Sequence, residues 1–207
     1  MKLYYVPGAC SLSPHITLHE AGMKFDPVQV SMHASGGKLG NLPDGTDFYA
    51  ITPLGYVPVL ELDDGTRLTE GPAIVQYIAD QAPDKNLAPA NGTVARAKMQ
   101  SWLNFISTEL HKGFGPLFNP ATPAETKTMA IDKLMSRLKW LDGELAGKSY
   151  LMGETFSVAD PYLFTVTNWA PKLGVDITGF ANLAAYRERM AARPAVQTAM
   201  KAEGLTK

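Results

Sequence analysis

The sequence lacks the features that mark several classes of protein. Its 207 residues include one cysteine, so no disulfide can form within the chain, and the four histidines share no metal-ligand spacing. The 19 Lys and Arg residues nearly balance the 20 Asp and Glu residues, which gives a formal net charge of −1. No apolar run approaches the roughly 20 residues that span a bilayer. We therefore expect no bound metal, no nucleic-acid partner and no membrane partner.

The composition is that of a globular protein with a substantial core. Hydrophobic residues make up 45% of the chain and aromatic residues 9%, and the length suits two modest domains. The segment Met1–Gly8 breaks its apolar run too early for a secretory signal. These observations predict a cytoplasmic protein.

The first part of the chain, residues 1–81, alternates strand and helix patterns. A strand over Lys2–Val6 is followed by a helix that begins near Pro14 and ends at Gly22, and then by a strand near residues 27–32. A hairpin over residues 57–69 and a helix over residues 72–80 complete an α/β domain.

The rest of the chain is helical. A linker at residues 82–89, bounded by prolines, leads to a domain at residues 90–207. One long helix is predicted through Leu110. A second is predicted from apolar positions that step by three and four residues: Ile131, Leu134, Leu138, Leu141 and Leu145. Shorter helices are expected near residues 157–170, 180–192 and 194–202, the first opened by a capping pair, Ser157 and Asp160.

Cys10 lies between the first strand and the first helix. The unpaired N–H groups at a helix N-terminus favour the thiolate form of a cysteine placed there. Ser11 and Ser13 add hydroxyls nearby, and the spacing from Cys10 to Ser13 is that of a Cys-x-x-Cys redox site whose second thiol is replaced. An inert, buried cysteine is the alternative. Its place in the turn favours a reactive thiol.

Two further elements carry candidate binding groups. A cis bond before Pro58 would expose the Val57 N–H and C=O to a partner lying along the sheet edge, although an ordinary edge-strand proline fits as well. Glu70 precedes a helix, where it could bind an ammonium group while the Gly71 N–H holds a carboxylate. A simple capping role for this pair is the alternative.

These segments together resemble the glutathione transferase family, and specifically its bacterial beta class. The resemblance covers essentially the whole chain and is carried by five stretches in order: Met1–Tyr5 with Pro7–His15, Tyr56–Leu60, Leu68–Gly71, Glu109–Phe114 and Phe156–Phe164. It implies a thioredoxin-like α/β N-terminal domain with a cis-Pro58, an all-α C-terminal domain, and a homodimer that binds glutathione as co-substrate.

The resemblance also implies a role for individual residues. Cys10, Ser11 and His111 would lie near the glutathione sulfur and stabilise its anion. The glutathione-binding residues would be Lys38, Tyr56, Val57, Pro58, Glu70, Gly71, Asn104 and Lys112. Apolar electrophiles would lie against Phe114, Phe118 and Trp169, although aromatic residues at helical spacing are equally consistent with ordinary core.

The implied activity is conjugation of the glutathione thiol to small hydrophobic electrophiles, as in detoxification. Because Cys10 is itself a thiol, glutathione-dependent reduction of disulfides through a mixed disulfide is an alternative. A non-catalytic protein that binds hydrophobic ligands is a third interpretation.

Overall fold

The computed structural model describes residues 1–32 and 39–206, and their contacts divide the chain into two compact units. The first unit is Met1–Lys85 with Pro194–Lys207, and the second is Asn86–Arg193. The C-terminal segment thus belongs to the first unit by its contacts. The domain boundaries expected from the sequence, 1–81 and 90–207 with a linker at 82–89, stay a prediction.

A four-stranded mixed sheet forms the centre of the first unit. Its strand order is β2 (Asp26–Gln29), β1 (Lys2–Tyr5), β3 (Val59–Glu61) and β4 (Arg67–Leu68). The β1–β2 pair is parallel, whereas β3 is antiparallel to both β1 and β4. A helix, α1 (Leu12–Ala21), connects the two parallel strands, which confirms the predicted strand–helix–strand unit.

Three helices complete the first unit. α2 (Gly71–Gln81) follows the hairpin, and α8 (Pro194–Ala202) comes from the other end of the chain. Both α2 and α8 pack against α1. The core consists of fully buried side chains from the sheet and the helices, including Leu3, Leu60, Ile16, Ile74 and Val196. This packing brings the C-terminal segment close to the residues that follow β1.

The second unit is helical throughout. Its helices are α3 (Val94–Phe105), α4 (Lys112–Phe118), α5 (Ala124–Glu144), α6 (Ala159–Thr167) and α7 (Ala181–Ala191). The predicted long helix through Leu110 changes at Ile106 into a π-helix, Ile106–His111. A π-turn holds one residue more than an α-turn, so the side chains beyond it are rotated by roughly 100°. Within the described residues, no helix is both long and apolar enough to cross a membrane.

Asp160 is a fully buried carboxylate at the beginning of α6. It accepts hydrogen bonds from the N–H of Leu151 (2.9 Å) and the N–H of Ser157 (2.8 Å), and the Ser157 hydroxyl lies 3.2 Å away. The predicted pair therefore forms, but the serine hydroxyl bonds the carboxylate instead of capping the helix. Burial raises the pKa of Asp160 to about 6, although these hydrogen bonds oppose the rise.

We expect Asp160→Ala to lower the free energy of unfolding by about 3 kcal/mol, because two buried N–H groups would lose their acceptor. Urea denaturation followed by circular dichroism measures the change. Asp132→Ala, which removes an exposed carboxylate from α5, is the matched control and should change stability by less than about 0.5 kcal/mol. A loss at Asp160 as small as that of the control would contradict the assigned role.

Candidate functional site

The turn between β1 and α1 is held from within by Ser11. Its buried hydroxyl accepts the Val6 N–H at 3.1 Å and donates to the Val6 carbonyl at 3.2 Å. Gly8 lies inside this turn at φ 71°, a conformation that favours glycine. The Ser11 hydroxyl therefore donates its single proton to the Val6 carbonyl. The expectation that Ser11 donates a hydrogen bond to a sulfur anion stays a prediction.

Cys10 is brought to the Val57–Pro58 segment. Its Sγ lies 3.1 Å from the Val57 carbonyl oxygen, to which the thiol donates. The Val57–Pro58 peptide bond is cis, as the family resemblance implies. A Cβ placed on Gly71 would lie 3.8 Å from Pro58 Cγ, so the first residue of α2 approaches the same proline. The structure therefore collects Cys10, Val57, Pro58 and Gly71 at one edge of the sheet.

Glu70 completes this edge as an exposed carboxylate. It stands immediately before α2 at φ 65°, and its side chain makes no hydrogen bond to the helix. Its carbonyl instead accepts the N–H groups of Ala73 and Ile74. Because Pro72 has no N–H and Ala73 and Ile74 donate to Glu70, it is the Gly71 N–H that stands beside this exposed carboxylate. This pairing suits a group that carries both an ammonium and a carboxylate.

A cavity of about 270 Å³ adjoins the thiol. Besides Cys10, Tyr56 and Val57, its lining includes four residues that the sequence analysis did not single out: Met32, Leu39, Tyr49 and Gly55. Gly55 has φ 62°, and a Cβ there would come within 2.5 Å of the Tyr49 ring. The absence of a side chain at position 55 therefore lets the tyrosine ring lie against the backbone.

His111 ends the π-helix of the second unit within an aromatic cluster. Its Nδ1 lies 2.7 Å from the Tyr162 hydroxyl, and its ring centroid is 5.0 Å from that of Trp169. Trp169 also makes edge contacts with Phe114 and Phe118. The structure therefore assembles the three residues expected to contact an electrophile, and it adds Tyr162, 51 positions from His111 in the chain.

The charge of His111 follows from its surroundings. Burial, with a smaller contribution from the Lys112 charge, lowers the pKa of His111 to about 4. The imidazole is therefore neutral at physiological pH. When Tyr162 donates to Nδ1, the ring proton resides on Nε2, which leaves His111 one N–H to offer to an acceptor.

Three of the other expected binding residues have exposed side chains. Asn104 and Lys112 are exposed side chains of the second unit, and Tyr56 is an exposed side chain of the first. Lys38 lies outside the described residues. That His111, Asn104 and Lys112 reach the same ligand as Cys10 stays a prediction. Across residues 1–32 and 39–206, no three His, Cys, Asp or Glu side chains are grouped so as to hold a metal ion.

The comparisons with known proteins agree on one family. Residues 8–81 match the glutathione S-transferase N-terminal domain and residues 105–194 its C-terminal domain. The chain is 47% identical to glutathione S-transferase GstA of Escherichia coli O157:H7, over 99% of this chain and 100% of that protein.

Two solved structures resemble the chain over 100% of both lengths. A sphingomonad glutathione S-transferase complexed with glutathione is 46% identical, with a TM-score of 0.93. The bacterial beta class glutathione S-transferase of Sphingomonas chungbukensis is 47% identical, also with a TM-score of 0.93.

The neutral state of His111 predicts a pH-dependent stability. The folded protein binds this proton with a pKa of about 4, whereas an exposed histidine titrates near 6.5, so the unfolded chain binds more protons between these values. Lowering the pH from 7 to 4.5 should therefore reduce the free energy of unfolding of the native protein by about 2 kcal/mol more than it reduces that of His111→Gln. Denaturant titrations at each pH measure this. Parallel stability–pH curves for the two proteins would show that His111 titrates normally.

Proposed function

Since the chain belongs to the glutathione S-transferase family, we propose that it conjugates the thiol of glutathione to small hydrophobic electrophiles. One observation carries the proposal: the Cys10 thiol, in the turn that leads into α1, lies 3.1 Å from the carbonyl of Val57, directly before cis-Pro58. If the cysteinyl backbone of glutathione pairs with Val57, the glutathione sulfur would therefore lie beside the Cys10 side chain.

Glutathione binding follows from the groups at this edge of the sheet. The Val57 N–H and C=O would pair with the cysteinyl backbone, and Tyr56 would border it. The γ-glutamyl end carries an ammonium and a carboxylate, which suit Glu70 and the N–H of Gly71. Lys38, Asn104 and Lys112 are proposed to contact the remaining charged ends of the tripeptide.

The chemistry proposed for the site is stabilisation of a thiolate. The glutathione thiol loses its proton to solvent, and its sulfur then attacks the electrophile, forming a carbon–sulfur bond as the leaving group departs with its electron pair. When glutathione binds, the Cys10 thiol would shift its hydrogen bond from the Val57 carbonyl to that sulfur, and the neutral His111 would donate a second hydrogen bond. Ser11, whose proton goes to Val6, would support the turn that presents Cys10.

The aromatic cluster of the second unit supports the proposal that the electrophile is apolar. Phe114 and Trp169 are largely buried, whereas the Phe118 side chain is 52% exposed and its ring lies edge to face with that of Trp169. An exposed aromatic ring backed by buried ones provides a flat apolar surface for a planar substrate. Conjugation of such compounds is the chemistry of detoxification.

A second activity is favoured by the exposure of Cys10. This partly exposed thiol, as its thiolate, could attack the glutathione sulfur of a disulfide between glutathione and another thiol, which releases that thiol and leaves glutathione on Cys10 as a mixed disulfide. A second glutathione would then attack this mixed disulfide, leave as glutathione disulfide and restore the Cys10 thiol. Such exchange needs Cys10 as a thiol, and a reducing compartment such as the cytoplasm would keep it in that state.

The expected homodimer is supported by a groove on the second unit. The rings of Trp102, Phe105 and Trp140 contact one another along a groove of about 560 Å³. Phe105 meets both indoles edge to face, the two indoles are tilted by 33°, and the Trp140 side chain is 49% exposed. Exposed aromatic surface of this kind is stabilised when another protein surface covers it. We assign the groove to the contact with a second copy.

Replacing Cys10 separates the two activities. We expect Cys10→Ala to conjugate an activated aryl chloride about tenfold more slowly, because one donor to the sulfur is lost, and to lose disulfide reduction by more than a hundredfold. Cys10→Ser, which keeps a donor, should conjugate faster than Cys10→Ala. Steady-state rates of both reactions measure these effects. If Cys10→Ala still reduced disulfides at the native rate, the exchange mechanism would be wrong. If calorimetry showed no binding of glutathione to the native protein, both enzymatic proposals would be wrong.

Sedimentation equilibrium tests the dimer. The native protein should sediment at twice the chain mass, and Trp140→Lys should weaken the association by at least tenfold, because it replaces the exposed aromatic surface of the groove with a charged side chain. Met129→Lys, at an exposed position outside the groove lining on the same helix, is the control and should leave the mass unchanged. A native protein at the monomer mass would refute the dimer, and a Trp140 variant that remains dimeric would refute this contact surface.

A further inference from the structure

The hydroxyl of Tyr162 is a buried polar group on a fully buried helix. All nine residues of α6 are buried, and Tyr162 is 2% exposed. Its hydroxyl lies 2.7 Å from His111 Nδ1, and the two rings meet edge to face with their centroids 5.8 Å apart. A buried hydroxyl is costly without a hydrogen-bond partner. This bond therefore joins the middle of α6 to the end of the π-helix, which packs against it.

The bond between Tyr162 and His111 has a preferred direction. A neutral imidazole and a phenol each carry one mobile proton, so either Tyr162 donates to Nδ1 or Nδ1 donates to the tyrosine oxygen. The 2.7 Å distance is typical of a hydroxyl donor, whereas N–H donors mostly lie about 2.9 to 3.0 Å from their acceptors. An imidazole nitrogen is also a stronger base than a phenol oxygen. Tyr162 is therefore the donor.

Trp169 restricts the His111 ring from a second direction. It is 7% exposed, and the centroids of the two rings lie 5.0 Å apart at an interplanar angle of 68°. An imidazole turned over by 180° would present a carbon to the Tyr162 hydroxyl in place of Nδ1, and this hydrogen bond would be lost. The ring contact and the hydrogen bond together therefore fix which nitrogen faces Tyr162.

The proton of His111 then has one position. The imidazole is neutral at physiological pH because burial, with a smaller contribution from the Lys112 charge, lowers the pKa of His111 to about 4. Its single ring proton resides on Nε2, since the lone pair of Nδ1 accepts from Tyr162. In this state His111 can donate one hydrogen bond, and neither nitrogen has a lone pair with which to take up a proton.

We propose that Tyr162 is a positioning residue that makes His111 a hydrogen-bond donor through Nε2 and prevents it from acting as a base. The consequence for catalysis rests on the proposed function, in which His111 donates to the glutathione sulfur. His111 then stabilises a thiolate whose proton has already gone to solvent. Without the Tyr162 hydroxyl, the ring can turn over and exchange its tautomers, so a smaller fraction of the protein has a donor in place.

Nuclear magnetic resonance measures the position of the proton directly. The protein is labelled with ¹⁵N-histidine, and His111→Gln identifies the His111 signals among those of the four histidines. At pH 7 the native protein should show an unprotonated Nδ1 and a protonated Nε2. In Tyr162→Phe the two shifts should move toward those of free histidine, in which the tautomers exchange. A protonated Nδ1 in the native protein would overturn the proposal, even if Tyr162→Phe failed to fold, and so would identical shifts in that variant.

Steady-state kinetics measure the consequence for conjugation. Tyr162→Phe should lower kcat about fivefold, because fewer molecules have the Nε2 donor in place. The KM for glutathione should stay within twofold of native, since the proposed contacts at Val57, Glu70 and Gly71 are untouched. In a His111→Ala background the same change should alter kcat by less than twofold, because Tyr162 acts through His111. An undiminished fivefold loss in that background would show that Tyr162 acts by another route.

Tyr186→Phe is the matched control for stability. Tyr186 is also a buried tyrosine of the second unit, and its hydroxyl donates to the Asp160 carbonyl at 3.0 Å. Its loss should lower the free energy of unfolding, as that of the Tyr162 hydroxyl does, but leave kcat and the His111 shifts unchanged. An equal loss of kcat in Tyr186→Phe would refute the positioning role. A native protein without conjugating activity would refute the proposed function instead, and the nitrogen shifts would still decide whether Tyr162 sets the His111 tautomer.

Discussion

The structure of the first unit depends on one constraint, which is that the chain between β1 and α1 must turn within six residues and still present a thiol to Val57. Ser11 closes the turn by bonding both polar groups of Val6, and Glu203 binds the Gly8 N–H from outside. Cys10 then reaches the Val57 carbonyl. A turn with positive φ at its centre has few contacts of its own, so its geometry comes from these hydrogen bonds.

The features that the sequence predicts correctly are those with local causes. Gly22 ends α1 at φ 67°, where a left-handed residue terminates the helix, and the apolar steps from Ile131 to Leu145 predict α5. Each signal lies within a few residues of the element that it specifies, so it can be read without knowing what packs against it.

The features that the sequence does not predict arise between distant residues. His15 and Glu203 are 188 positions apart, and His111 and Tyr162 are 51 apart, so no spacing rule connects them. The π-turn at Ile106 is missed for a related reason. Ile106 and Leu110 are both fully buried within the π-helix, and their spacing also fits an uninterrupted α-helix. Only the packing decides between the two.

The two units use a buried carboxylate in a similar way, with different consequences. Asp160 joins the N–H groups of Leu151 and Ser157, nine and three residues before it, and so holds the segment that leads into α6. Glu203 joins Gly8 and His15 across nearly the whole chain, at the turn that carries the thiol. An apolar side chain could fill either space, but it could not hold a backbone N–H in a fixed direction. The requirement for direction therefore explains both buried charges.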